Sequence, residues 1–200
     1  ARDEGMIYTR FTDHVPTIRG IYSEYAGSPS NVITTMAAGW PLVFQQWGAD
    51  GVLVVERNSS QVHHVLGKYD DDSEIGVFLR HNVDIILSDI NDIPMDFWHG
   101  RVCSNSFVFL SNICDHAERE GRADVFVQQI VNMVSAIDGG GNVTVAMTSF
   151  GADLLDKYKT LLQIASSASG ITVEGDILVN PFHVDSELLT TVLFLRFTKA

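Results

Sequence analysis

Short apolar runs rich in β-branched residues alternate along this chain with segments of helical periodicity, and that alternation restricts the fold more than any other sequence feature. Val32-Ile33-Thr34-Thr35-Met36 follows the turn cluster Gly27-Ser28-Pro29-Ser30, and Val52-Leu53-Val54-Val55 follows Gly48-Ala49-Asp50-Gly51. Between them, residues 41–47 open on a proline and close before a glycine, as short crossover helices do. Val83-Asp84-Ile85-Ile86-Leu87 is a third strand. From 123 to 137, Ala123, Phe126, Val127, Ile130, Val131, Val134 and Ile137 recur at intervals of three and four, the pattern of an amphipathic helix. Asp138-Gly139-Gly140-Gly141 stops it, and Val143-Thr144-Val145-Ala146-Met147 follows as a strand. A helix carrying Leu154, Leu155, Tyr158, Leu161, Leu162 and Ala165 comes next, then a weaker strand at Ile177-Leu178-Val179 and a long final strand over 188–197. Strands alternating with helices predict a three-layer α/β sandwich around a mostly parallel sheet.

The 200 residues suffice for one such domain with a large core, since 46% of them are hydrophobic and neither a repeat nor a long Pro/Ser-rich linker divides them. Thirteen Lys and Arg against 25 Asp and Glu leave a formal charge of -12, whose field repels polyanions. A nucleic-acid partner therefore needs cations gathered on one face or supplied by another chain. Cys103 and Cys114 have no CxxC spacing, which argues against a disulfide framework and for a reducing compartment. A metal set from His99, Cys103, Cys114 and His116 lacks a familiar zinc spacing, and no metal is expected. No apolar run reaches the roughly 18 residues of a membrane span, and no signal-peptide segment opens the sequence, so a cytoplasmic protein is expected. Its start at Ala1 reads as the edge of a piece of a longer chain.

In parallel α/β sheets, ligands sit outside the carboxyl ends of the strands where strand order reverses, so the residues just after each strand are the candidates for chemistry. After the first strand stand Ala37-Ala38-Gly39-Trp40, small residues that let backbone approach a ligand. Glu56 ends the second strand, where a carboxylate can accept two hydrogen bonds from ribose hydroxyls. Together they outline an adenosine-binding corner. Ser88-Asp89 closes the third strand, where Asp89 either faces the ligand crevice or caps a turn. Glu187 opens the last strand. No GxGxxG follows the first strand and no Walker loop occurs, which leaves a dinucleotide or nucleotide enzyme of another class as the weakest reading.

The order of these pieces resembles the FtsJ-like family of RNA ribose 2'-O-methyltransferases, cap methyltransferases of RNA viruses among them. The strongest stretch is Val83 to Ile90, similar to the family's hydrophobic strand ending in Ser-Asp, followed by a helix and Gly140-Gly141-Asn142-Val143. Asn180-Pro181 with Ser186-Glu187 is similar to the family's Lys-Pro and Ser-x-Glu ending, and Ala38-Gly39-Trp40 with Gly51 to Asn58 resembles its methyl-donor half. The resemblance implies a Rossmann-like sandwich of the S-adenosylmethionine (SAM) methyltransferase type, its sheet closed by a C-terminal antiparallel strand. It divides the chain into an N-terminal helical or extended appendage, 1–30, and the domain proper, 31–200.

It further implies SAM as cofactor, held by Ala38, Gly39, Trp40, Glu56 and Asp89, and a Lys-Asp-Lys-Glu tetrad whose acids are Asp89 and Glu187. The tetrad's second lysine falls at Ala146, or at Met147 if the register slips by one, and neither can carry a proton. Ahead of the first strand the cations are Arg2, Arg10 and Arg19, and a guanidinium cannot serve as a tunable base. Losing a positioned acid or base costs about 10²–10⁴-fold in rate, so the resemblance points to a degenerate or partner-dependent enzyme. The alternative is an inactive structural module. Its implied partners are a larger viral protein or assembly and capped RNA, its implied setting a virion or replication complex. A structural module predicts an exposed apolar patch, on Phe97-Trp98 or on Phe107-Val108-Phe109.

Overall fold

The computed structural model describes residues 31–35, 49, 51–111, 113–149, 151–179 and 191–200, with Ser23, Glu24, Gly27 and Pro29. In chain order they form β1 (Asn31–Thr34), β2 (Gly51–Glu56), α1 (Ser59–Leu66), α2 (Glu74–His81), β3 (Val83–Leu87), β4 (Ser106–Ser111), α3 (Ile113–Arg119), α4 (Ala123–Ser135), β5 (Asn142–Ser149), α5 (Ala152–Ala168), β6 (Ile171–Val179) and β7 (Thr191–Lys199). Two short 3-10 helices, Ile90–Asp92 and Met95–Trp98, lie between β3 and β4. Local chemistry sets several starts. Asn58 Oδ1 accepts from the Ser60 and Gln61 amides to cap α1, and Ser73 Oγ accepts from the Gly76 amide to cap α2.

The strands make a seven-stranded sheet in the order β3-β2-β1-β4-β5-β7-β6. The first five are parallel, while β7 runs antiparallel to both β5 and β6. This is the mostly parallel α/β sheet with a C-terminal antiparallel strand that the sequence predicts. Successive side chains alternate between faces, and both faces are buried, as a parallel sheet requires. Ile33, Leu53, Val55, Val108, Leu110, Val145 and Leu195 share one core with Trp98, Phe126, Tyr158 and Leu162. Val32, Val52, Val54, Phe107, Phe109, Ala146 and Phe194, on the opposite face, are equally buried. Fully burying a side chain of this size stabilises by about 1.5–3 kcal/mol, so the two faces supply most of the folding drive.

Three expectations change. β4 was read as an aromatic stretch rather than a strand, and it pairs centrally between β1 and β5. For that reason Phe107 and Phe109 are wholly buried, as is Trp98, and the expected exposed patch is absent from these aromatics. Phe97 is half-buried, its ring edge-on to Trp98 and covered by the Arg101 guanidinium at 4.2 Å. β6 begins at Ile171, earlier than the expected strand at 177–179. Its Gly175 has φ +156°, and a Cβ there would collide with the Phe194 carbonyl. The crossover helix at 41–47 lies outside the described residues, as do residues 188–190 of the final strand and most of the 1–30 appendage.

The segment after β3 is held from beneath by one side chain. Gln129, buried on α4, donates from Nε2 to the carbonyls of Ile90 at 2.6 Å and Ile93 at 2.9 Å. Gln129→Leu keeps the volume but leaves the Ile93 carbonyl without this donor and the Ile90 carbonyl with only the long 3.5 Å bond from the Ile93 amide, and should lower stability by about 1–3 kcal/mol. Urea denaturation measures this, and a loss below about 0.5 kcal/mol would show that the clamp contributes little.

Candidate functional site

The strand order reverses between β1 and β4, and a cleft opens at the carboxyl ends of the strands on the β1 side of that reversal. Thr35 follows β1, Glu56 and Arg57 end β2, and Ser88, Asp89 and Asn91 follow β3. Gln61 of α1 and Ile113, His116 and Ala117 of α3, with Glu120 just beyond it, complete the lining. α3 forms this wall because it leaves β4, the strand on the far side of the reversal.

Glu56 stands where the sequence places it. The residue is 9% exposed, and its Oε1 accepts from the Asn58 amide at 3.0 Å, which ties the strand end to the cap of α1. Asp89 also lines the cleft, and it caps a turn as well. Its Oδ1 accepts from the Asn91 amide at 2.9 Å, and Oδ2 lies 3.3 Å from Arg57 and 3.6 Å from Arg122. Arg57 spans the mouth to Glu120 at 2.8 Å, and Arg122 reaches Asp92 at 2.7 Å. The Glu120 hydrogen bond holds the Arg57 guanidinium above its ordinary pKa, and Arg57 in turn holds the Glu120 carboxyl below its own.

Two polar atoms in the lining are shielded from water and have no partner: Thr35 Oγ1 and Asn91 Oδ1. An unpaired buried polar atom costs about 1–3 kcal/mol, and Trp98 Nε1 and Ser166 Oγ, on residues outside the cleft, are also buried without a partner.

The expected tetrad does not assemble from these positions. β3 is an edge strand, four strands from β5, where Ala146 and Met147 lie. At about 4.8 Å per strand, β3 and β5 are about 19 Å apart, too far for side chains on the two strands to touch one hydroxyl. Ala146 and Met147 are wholly buried inside the sheet. Ala38, Gly39, Trp40 and Glu187 lie outside the described residues.

Among the described residues an acid that meets the end of β5 is Asp115, in the first turn of α3. Its Oδ1 accepts from Ser149 Oγ at 2.9 Å, linking the helix after β4 to the last residue of β5. Asp115 is not legible in the sequence, because β4 does not read there as a strand and its end therefore singles out no residue. Cys114 beside it is wholly buried, and burial, reinforced by Asp115, pushes its thiol up to about 12. Among the described residues no group of three His, Cys, Asp or Glu side chains is placed to hold a metal ion.

This fold recurs in known structures. The methyltransferase domain of bacterial CtHen1 superposes with a TM-score of 0.60 at 13% identity, over 94% of this chain and 99% of that one. An rRNA methylase from Streptococcus thermophilus gives 0.51 at 11% identity, over 91% and 93%. The plantazolicin methyltransferase BpumL, in complex with S-adenosylhomocysteine (SAH), gives 0.52 at 8% identity, over 97% and 85%. The fold is that of the SAM-dependent methyltransferases. No family model and no curated protein matches the sequence.

Two measurements check the electrostatics of this methyltransferase-fold domain. Because the folded pKa of Glu120 is lowered, its bridge contributes above the ordinary carboxylate range and is lost as pH falls through the lowered value. Glu120→Gln should therefore flatten the decline of the urea midpoint between roughly pH 6 and pH 3, and an unchanged decline would contradict the bridge. The exposed Cys103 should react with an aromatic disulfide reagent at neutral pH while Cys114 reacts only after unfolding. Two fast thiols in the native protein would contradict the burial of Cys114.

Proposed function

We propose that this cleft binds SAM and that the chain is the donor-binding domain of an RNA ribose 2'-O-methyltransferase, degenerate or completed by a partner chain. The observation that carries the donor site is Glu56, a shielded carboxylate at the end of β2 beside the reversal of strand order. A carboxylate there accepts from both ribose hydroxyls, and little water competes for it. The unpaired Thr35 and Asn91 oxygens fit a ligand that brings its own donors. SAM, when bound, supplies an electrophilic methyl group.

The ribose at β2 directs the base toward β3 and the methionine part toward β1 and β4. Asp115, at the ends of β4 and β5, is then the acid on the acceptor side. The RNA ribose as acceptor is supported by the resemblance of 83–90 and 140–143 to the ribose methyltransferases. The rRNA substrate named for one structural neighbour adds to that support. With a charge of -12, RNA binding needs cations gathered on one face or supplied by a partner, and a viral capping or replication assembly in the cytoplasm is the setting the resemblance favours. The uncharged Ala146 and Met147 favour a second reading, an interaction module that has kept the fold without the transfer chemistry.

Calorimetric titration with SAH tests the donor site. The wild type should bind at about micromolar Kd, and Glu56→Ala should weaken binding at least about tenfold without changing the fold. No heat up to about millimolar ligand would remove the donor site and leave the interaction module.

A further inference from the structure

We propose that Arg57 and Arg122 form a reciprocal ionic clasp that closes the mouth of the cleft, so that a donor enters only when the clasp opens. This rests on the donor-site reading above and concerns how that site is regulated. The cleft encloses about 130 Å³, whereas ligand pockets measure about 300–1,000 Å³. Its mouth must therefore widen before a nucleoside with an amino-acid tail is seated. The contacts that span the mouth are charged, and they run in both directions. Arg57, on the β2 lip, reaches Glu120 on the α3 lip at 2.8 Å, with His116 Nδ1 3.5 Å from its other terminal nitrogen. Arg122, in the turn between α3 and α4, reaches back to Asp92 at 2.7 Å and Asp89 at 3.6 Å, beyond β3. Each lip thus gives an arginine to the carboxylates of the other.

The backbone beneath the clasp is anchored on the α3 side. α3 ends in a Schellman turn, in which the Gly121 amide donates to the Glu118 carbonyl at 3.3 Å and the Arg122 amide to the Ala117 carbonyl at 2.8 Å, with Gly121 at φ +67°. That turn sends Glu120 and Arg122, two residues apart, to different partners on the opposite lip. The bonds between the lips are made by the ends of side chains, and those of Arg57, Arg122 and Glu120 are 46%, 31% and 36% exposed. Ion pairs so open to solvent are weak and screened by salt. The clasp is therefore shut in dilute salt and released as ionic strength rises.

Calorimetry with SAH on the whole chain tests this at about 20 mM and about 500 mM sodium chloride, between which the Debye length falls from about 20 Å to about 4 Å. SAH carries no net charge at neutral pH, so salt acts mainly on the clasp. For the wild type, Kd should fall about threefold in the higher salt. Glu120→Gln combined with Arg122→Gln severs both crossings and leaves Arg57 with Asp89 on its own lip. In the lower salt this double variant should bind SAH about threefold more tightly than wild type, and its Kd should change less than about 1.5-fold between the two salts. Tighter binding cannot come from a variant that has misfolded. Wild-type affinity that is unchanged or weakened by salt would overturn the clasp, as would a double variant no tighter than wild type in the lower salt. If neither protein binds SAH at either salt, the donor site itself is overturned, and the clasp with it.

Discussion

A chain that builds a parallel sheet outward from β1 through β2 to β3, and then returns to the far side of β1 for β4, must send its crossovers in two directions. In such a sheet the crossovers that leave the two strands flanking the reversal diverge, and the crevice at the strand ends is where ligands sit. Everything functional in this molecule depends on that reversal. It brings Thr35, Glu56 and the turn after β3 to one lip and Ile113, His116 and Ala117 of α3 to the other. The sheet can leave the space open because its stability comes from elsewhere. Both faces are packed with buried apolar side chains, and β7 closes the far side by pairing along its length with β5 and β6.

The lip of the cleft is electrostatically dense, although the chain as a whole is strongly acidic. Arg57 and Arg122 are shared among Asp89, Asp92 and Glu120, so local charge is close to balance where the ligand would enter. These pairs are largely exposed and individually contribute little to stability, about 0–1 kcal/mol each. Their consequence is geometric. Two arginines hold Asp89 away from any ligand role that needs a free carboxylate, and the buried Gln129 holds the same turn from below. What the turn leaves unpaired is the Asn91 amide oxygen.

Most of the strands were legible because a strand buried on both faces reads as a continuous apolar, β-branched run, as Val52 to Val55 and Val143 to Met147 do. α4 was legible because burial of a single face leaves a three-and-four spacing. β4 escaped because its core is Phe-Val-Phe between serines, and aromatic side chains suit a partner surface as well as a core until the neighbouring strands are known. β6 was cut short for the opposite reason. As an edge strand half open to water, it alternates Thr172, Glu174 and Asp176 with apolar neighbours, and its apolar content looks weak from Ile171 to Asp176.

Composition and periodicity by themselves determined the class of fold and the direction of the charge. They also determined that Glu56 and Asp89 end strands, since strand ends are local events marked by turn residues within a few positions. Which strand lies beside which is a non-local matter, settled by how seven strands share two packed faces. Tertiary structure therefore decided that Asp89 follows an edge strand that lies four strands, about 19 Å, from β5, where the positions it was expected to meet stand. It decided equally that Asp115 meets Ser149, and that Gln129, forty residues downstream of Asp89, holds the turn on which Asn91 sits.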